Sequence, residues 1–285
     1  MIRLSAFSDE AGESLDTQIM ALERNRISLM ELRSVDGKNI KEITLPEVKE
    51  IKKKLSSRGI DVWAIGSMLG KTSITVDFDK YTEDIKHICE CAGILETKRI
   101  RMFSFFDSAN ERNEVIEYLS RMVEIADEYG LYLCHENEKK VYGETLERVL
   151  DLKKSVKGLR LVYDPANFLQ VGENPEDTLS ALHSDSDYFH IKDAKNNGEV
   201  LVPAGYGDAD IPRLIDMIDD DKVLTLEPHL KVFGGYNKID GEPMEHMFEF
   251  ETNEESFDFA AKSLKEVLNK CGYTEKGYNT YIKGE

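Results

Sequence analysis

LYLCHEN, residues 131–137, is a short apolar run that turns polar only at its C-terminal end, at His135, Glu136 and Asn137. Three later stretches repeat that grammar. LRLVYDPANF (159–168) ends its apolar run at Asp164 and carries Asn167 just beyond it. DYFHIKD (187–193) carries His190, Lys192 and Asp193, and VLTLEPH (223–229) carries Glu227 and His229. Near-continuous apolar runs of this length are what parallel strands buried on both faces require. Between successive polar ends the chain has room for one helix and two loops. Strand-then-helix units with reactive side chains at the strand's C-terminal edge are the layout of an α/β, (β/α)8 barrel.

Working outward gives the remaining strands. IRLSAF (2–7) runs into Ser8, Asp9 and Glu10, and ISLMELR (27–33) ends with Glu31 and Arg33. IDVWAIG (60–66) and RIRMFSF (99–105) complete a set of eight. Helical patterns separate them. The first starts near Ser14, a plausible N-cap. One over 45–58 has Pro46 in its first turn and Gly59 past its end, the expected asymmetry of helix termini. Others cover 79–95 and 111–129, the latter with Val115, Leu119, Met122, Val123 and Ala126 on one face. GETLERVLDLKKS supplies the fifth, Asp210 and Pro212 introduce the helix before the last strand, and a final helix covers 253–270. The expectation is a single TIM-barrel domain over residues 1–271, followed by a tail, 272–285, that frays or docks on a partner subunit. Residues 230–252, with Gly234, Gly235 and Gly241 among Phe233, Tyr236, Met244, Met247 and Phe248, form a candidate lid loop at the rim.

Composition agrees and excludes other classes. The 285 residues fit one barrel of about 250 residues with little to spare. Hydrophobic residues make up 41%, enough for a sizeable core, and a charged fraction of 32% indicates a soluble surface. No apolar run approaches the roughly 18–20 residues that span a bilayer, and the N-terminus has no signal-peptide pattern. No membrane partner is expected. The formal charge of −18 repels phosphate backbones and argues against nucleic acid. Cys89, Cys91, Cys134 and Cys271 show no metal or redox spacing, so they read as reduced thiols of a cytoplasmic protein.

Strand alternation organises the chemistry. Glu136 shares a face with Cys134, Asp164 with Val162, His190 with Tyr188, and Glu227 with Thr225, while Leu133, Tyr163 and Leu226 face the helices. Glu136, Asp164, His190 and Glu227 can thus point into one barrel mouth. Any one of them alone is more often a cap or a hydrogen-bonded structural residue. Three carboxylates and one imidazole at successive strand ends suit one divalent metal ion. Lys192 and His229 are candidates for holding substrate oxygens. Arg33 and Lys71 are candidates for a phosphate or carboxylate, though Arg33 could simply pair with Glu31. His135 reads as structural, His87, His183 and His246 as surface residues, and Gly205 and Gly207 as shaping a substrate loop.

HENE, YGET, DPANF, HIKDA, PAGYGDADIP and LEPHL, with FSDE, ELR, GSMLGK and RMFSFF before them, resemble the sugar phosphate isomerase/epimerase family over nearly the whole chain. These are xylose isomerase-like barrels, similar also to tagatose 3-epimerase, inosose dehydratase and, more distantly, endonuclease IV. The resemblance implies that Glu136, Asp164, His190 and Glu227 bind one divalent ion, manganese first, with magnesium, cobalt or zinc as alternatives. It implies that Glu136 and Glu227 are the catalytic acid/base pair, and that the protein forms dimers or tetramers. The position three after the metal Asp is often a substrate-binding His in the epimerases; here it is Asn167, which leaves substrate and reaction open.

The leading expectation is therefore a divalent-metal-dependent isomerase or epimerase of a small sugar or sugar phosphate. It would act through a metal-stabilised enediolate with two Glu as acid and base. A keto-polyol (inosose-type) dehydratase is the alternative enzyme. A non-catalytic sugar-binding barrel is the alternative of another class, and it would need neither Glu136 nor Glu227 as a base. A nuclease would need more metal ligands and a basic groove, which six His and a charge of −18 do not favour.

Overall fold

The computed structural model describes residues 1–233 and 245–284. Eight parallel strands form the barrel: β1 (Ile2–Ala6), β2 (Leu29–Leu32), β3 (Asp61–Gly66), β4 (Arg99–Met102), β5 (Tyr132–Glu136), β6 (Arg160–Tyr163), β7 (Ser186–Ile191) and β8 (Lys222–Leu226). Each pairs with its sequence neighbours, and β8 closes on β1 in parallel register from Ile2↔Lys222 to Ala6↔Leu226. Closure leaves the C-terminal strand ends arranged around one mouth, where a (β/α)8 enzyme builds its site.

Among the described residues, seven helices lie where the sequence pattern places them, and two more, over 165–170 and 175–182, fill a stretch for which the sequence named no helix. They are α1 (Leu15–Arg24), α2 (Leu45–Ser57), α3 (Phe78–Leu95), α4 (Arg112–Glu128), α5 (Leu146–Ser155), α6 (Pro165–Gln170), α7 (Pro175–Leu182), α8 (Ile211–Asp216) and α9 (Asn253–Lys270). Ser14 caps α1 by accepting from the Thr17 N–H at 3.1 Å. Strand alternation divides the core as expected. Leu133, Tyr163 and Leu226 join the layer between barrel and helices. Cys134, Val162 and Tyr188 join Leu29, Ala64 and Val223 inside the barrel. Among the described residues, no helix is long and apolar enough to cross a membrane.

The tail is ordered as a hairpin, Tyr273–Gly277 and Thr280–Lys283, which reaches β1 through Ile2↔Tyr281. At its turn Asn279, fully buried, accepts from the Leu4 N–H at 3.0 Å and donates to the Leu4 carbonyl at 2.7 Å. The amide thereby satisfies two main-chain groups inside the end of the barrel opposite the mouth. Two residues expected at the surface are not exposed. His183 is buried, its Nε2 3.1 Å from the Leu214 carbonyl, and His87 is half-buried with Nε2 3.0 Å from the Ile43 carbonyl. Both sit where packing between helices covers them, which helical spacing alone does not reveal. The side chain of His246 lies outside the described residues.

Candidate active site

Four strand ends deliver four side chains to one point. Glu136 is the last residue of β5, His190 lies near the end of β7, and Glu227 follows β8. Asp164 follows β6 and has two roles. Its Oδ1 caps α6 by accepting from the Asn167 N–H at 3.0 Å, which leaves Oδ2 facing the cluster. All four are buried. His190 Nδ1 lies 3.1 Å from Glu136 Oε1 and 3.1 Å from Glu227 Oε2. One donor atom from each of the four falls within 4.8 Å of the others.

This donor set fits a divalent cation. Among the described residues Asp164 Oδ2, His190 Nδ1 and Glu227 Oε2 are buried and lack a well-aligned hydrogen bond, their close contacts being ion pairs: Lys192 Nζ at 2.9 Å from Asp164 Oδ2, and His190 Nδ1 at 3.1 Å from Glu227 Oε2. Buried charged groups of this kind are stabilised by pairing or by coordinating a metal. Hard carboxylate oxygens with one imidazole nitrogen suit manganese, magnesium, cobalt or zinc.

The electrostatics follow from crowding carboxylates away from water. Burial alone would lower the pKa of His190, but Glu136, Glu31 and Glu227 outweigh it and raise it well above the ordinary imidazole value. Burial pushes Asp164 up to about 7; Lys192 opposes this, while Glu136 and Glu227 add to it. Burial would also raise Glu227, yet Lys192 and His190 hold it well below the usual carboxylate range. The polypeptide's own protons and cations thus balance the site.

The residues expected to bind substrate surround this cluster. Lys192 places Nζ 2.9 Å from Asp164 Oδ2 and 3.9 Å from Glu227 Oε2. Burial disfavours its ammonium, but those carboxylates raise its pKa above the normal lysine value. Asn167 donates to Glu136 Oε1 at 3.2 Å and to the Asn137 carbonyl at 2.9 Å. His229 approaches Glu10 Oε1 at 3.3 Å and Glu227 Oε1 at 3.5 Å. Arg33 does not pair with Glu31. It donates to both oxygens of Asp9 at 2.9 Å and to Glu227 Oε1 at 3.0 Å. Its guanidinium also lies over the rings of Phe7 and Phe233. Lys71 pairs with Glu138 at 3.0 Å and sits over Phe103. His135 packs beside the site against Ser104 Oγ at 3.0 Å, and burial lowers its pKa to about 3.

Sequence reasoning gave no role to two charged residues inside the barrel. Glu31 accepts from the Tyr188 hydroxyl at 2.9 Å and sits 3.1 Å from His190 Nε2. Arg101 lies 3.2 Å from Glu136 Oε2 and donates to the Ser67 carbonyl. Their signal was present: an acidic and a basic residue standing in otherwise apolar strands.

The loop with Gly205 and Gly207 is organised by Asp193. Its carboxylate accepts from the N–H groups of Ala194, Gly205, Gly207 and Ala209, at 2.9 to 3.1 Å. A Cβ on Gly207 would fall 2.0 Å from Asp193 Oδ1, so only glycine permits this approach. Of the candidate lid 230–252, residues 234–244 lie outside the described residues. At its described ends Phe233 packs on His229 with ring centroids 5.6 Å apart, and Phe248 and Phe250 pack against Phe259.

A family model described as "Xylose isomerase-like TIM barrel" matches residues 27–250. No curated protein sequence matches the chain. Among solved structures, the chain is similar to the probable 3-DHS dehydratase AsbF from Bacillus anthracis, with TM-score 0.72 and 18% identity over 93% of this chain and 99% of that one. It is similar to the IOLI protein with a bound zinc atom, with TM-score 0.71 and 19% identity over 94% of this chain and 98% of that one. It is also similar to D-psicose 3-epimerase in the presence of D-fructose, with TM-score 0.74 and 14% identity over 95% and 99% of the two chains. At these identities the likeness is one of fold.

Proposed function

The chain belongs to the xylose isomerase-like TIM barrel family, and on that premise we propose that it is a divalent-metal-dependent isomerase or epimerase of a small sugar or sugar phosphate. The observation that carries this reading is the convergence of Glu136, Asp164, His190 and Glu227, with His190 Nδ1 3.1 Å from both glutamates. These four would hold the ion, manganese first, with magnesium, cobalt or zinc as alternatives. When bound, it supplies a Lewis acid for a carbonyl oxygen and a template for the adjacent hydroxyl.

The polypeptide supplies the proton transfers. Glu136 comes from β5 and Glu227 from the end of β8, with β6 and β7 between them. One carboxylate takes the proton from the carbon beside the carbonyl. Return of a proton by the other to the opposite face gives an epimer, and return to the neighbouring carbon gives an aldose–ketose isomer. Each such step contributes roughly 10²–10⁴-fold. Arg101 beside Glu136 and Arg33 beside Glu227 fix the two carboxylates in place. Lys192, Asn167 and His229 line the same mouth and would hold substrate oxygens.

A second reading rests on Lys192. Its ammonium lies between Asp164 and Glu227, where it could give a proton to a departing β-hydroxyl and so dehydrate a keto-polyol. A cytoplasmic location suits four free, buried cysteines.

The test is proton exchange. Metal-free protein refilled with Mn²⁺ is incubated with ketoses and keto-polyols in D₂O and followed by NMR, beside Glu136→Gln and Glu227→Gln. Metal-dependent deuterium uptake next to the carbonyl, lost in both variants, is the expected result, and the product separates epimer, isomer and dehydrated ketone. Sugar binding without exchange would instead favour a non-catalytic barrel. Absence of metal binding would overturn the reading.

A further inference from the structure

The proposed metal centre depends on a single imidazole presenting Nδ1 rather than Nε2, and the barrel interior contains a device that sets this choice. We propose that Glu31 is a positioning residue for His190. Its carboxylate, braced by the Tyr188 hydroxyl, holds the imidazole in the tautomer and orientation that turn Nδ1 toward Glu136, Asp164 and Glu227. This assignment rests on the metal-centre reading above.

Glu31 is inward-facing on β2, one layer below the mouth, and 1% exposed. Oε2 lies 3.1 Å from His190 Nε2, and Oε1 accepts from the Tyr188 hydroxyl at 2.9 Å. Tyr188 and His190 are two residues apart on one face of β7, so a single strand presents both donors to one carboxylate. A carboxylate that accepts at Nε2 requires the proton there, which leaves the Nδ1 lone pair for a cation and makes the ring a stronger ligand. The ring plane is also confined, by Phe7 at 5.2 Å and 79° and by Tyr188 at 5.6 Å and 64° between centroids and planes. Arg101 sits 3.9 Å from Glu31 Oε1 and 3.2 Å from Glu136 Oε2, and so links the orienting carboxylate to a ligand carboxylate. A purely structural residue here would not need a charge. Burying a carboxylate is costly unless its hydrogen bonds and ion pairs offset the loss of water.

The experiment compares wild type, Glu31→Gln and Tyr188→Phe. Mn²⁺ affinity is read by competition with a chromophoric chelator, the visible spectrum is taken after refilling with Co²⁺, and unfolding is measured for each metal-free protein. The amide of E31Q has one oxygen and cannot accept from both Tyr188 and His190, so Mn²⁺ binding is expected to weaken about 10–100-fold, with an altered Co²⁺ spectrum and an intact metal-free fold. Y188F, which removes one brace, is expected to weaken binding less. A structural role alone would lower metal-free stability and leave the affinity of the folded variants unchanged. Folded E31Q binding Mn²⁺ within about two-fold of wild type would overturn the proposal. Should E31Q fail to fold, unchanged affinity in Y188F would overturn it. If wild type takes up no Mn²⁺, Co²⁺ or Zn²⁺, the functional reading itself falls. If wild type binds and E31Q binds equally well, only the role of Glu31 falls.

Discussion

Raising the pH from about 6 to about 8 should strengthen Mn²⁺ binding steeply, and the structure sets how steeply. In the metal-free protein His190 is held protonated: burial opposes its charge, but Glu136, Glu31 and Glu227 raise its pKa well above the ordinary value. Asp164 is pushed up to about 7 by burial and by its carboxylate neighbours, against Lys192. A cation needs the Nδ1 lone pair and the Asp164 carboxylate, so it competes with both protons. Protons bound to the free site weaken binding, and affinity therefore rises with pH. While it stays protonated His190 contributes tenfold per pH unit, so its share over the range has a ceiling of roughly 100-fold. Asp164 adds about tenfold, roughly three quarters of it on a logarithmic scale below pH 7. The sum has a ceiling of about 1,000-fold, or about 4 kcal/mol. Calorimetric titration of Mn²⁺ in buffers of different ionisation enthalpy counts the protons directly, with about two released per ion near pH 6 and about one near pH 8. An imidazole at its ordinary value near 6.5 would give only about a fourfold rise from His190 and release almost nothing near pH 8. That outcome would show that the three carboxylates do not act on His190 as their distances require.

The same protons make the metal-free fold sensitive to pH. Folding raises the pKa of both His190 and Asp164, whereas burial depresses His135, His183 and His229. Above about pH 7, where those three are neutral in both states, the folded state binds more protons and its stability falls as pH rises, a decline that saturating Mn²⁺ should reverse in thermal scans. Asp193→Ala strands four backbone N–H donors and should cost at least about 3 kcal/mol, read by urea unfolding, with new protease nicking between residues 195 and 209. Asn279→Ala removes both bonds to Leu4 and should cost about 2 kcal/mol in the same assay. Its Mn²⁺ affinity should match wild type, because the hairpin that carries Asn279 meets β1 at Ile2, at the end of the barrel opposite the cluster.

The barrel was legible because its strands are buried on both faces, so any polar residue in them marks a strand end or a site. Glu136, Asp164, His190 and Glu227 each announce themselves in this way, and alternation alone assigned their faces. Asp164 fills a structural and a site role at once: it is a helix cap through Oδ1 and a cluster member through Oδ2. The partners of Arg33 were not legible. Glu31 and Arg33 stand two residues apart on one face of β2, which made a local pair reasonable, but each reaches sideways instead of along the strand. Arg33 meets Asp9, just beyond neighbouring β1, and Glu227, just beyond β8, whereas Glu31 crosses the interior to Tyr188 and His190 on β7. Those contacts depend on how the closed sheet is staggered, and no single strand's sequence carries that stagger. The candidate ligand set was therefore written in four strand ends, while the groups that orient it were visible only as charges out of place one layer deeper, with partners chosen by barrel closure.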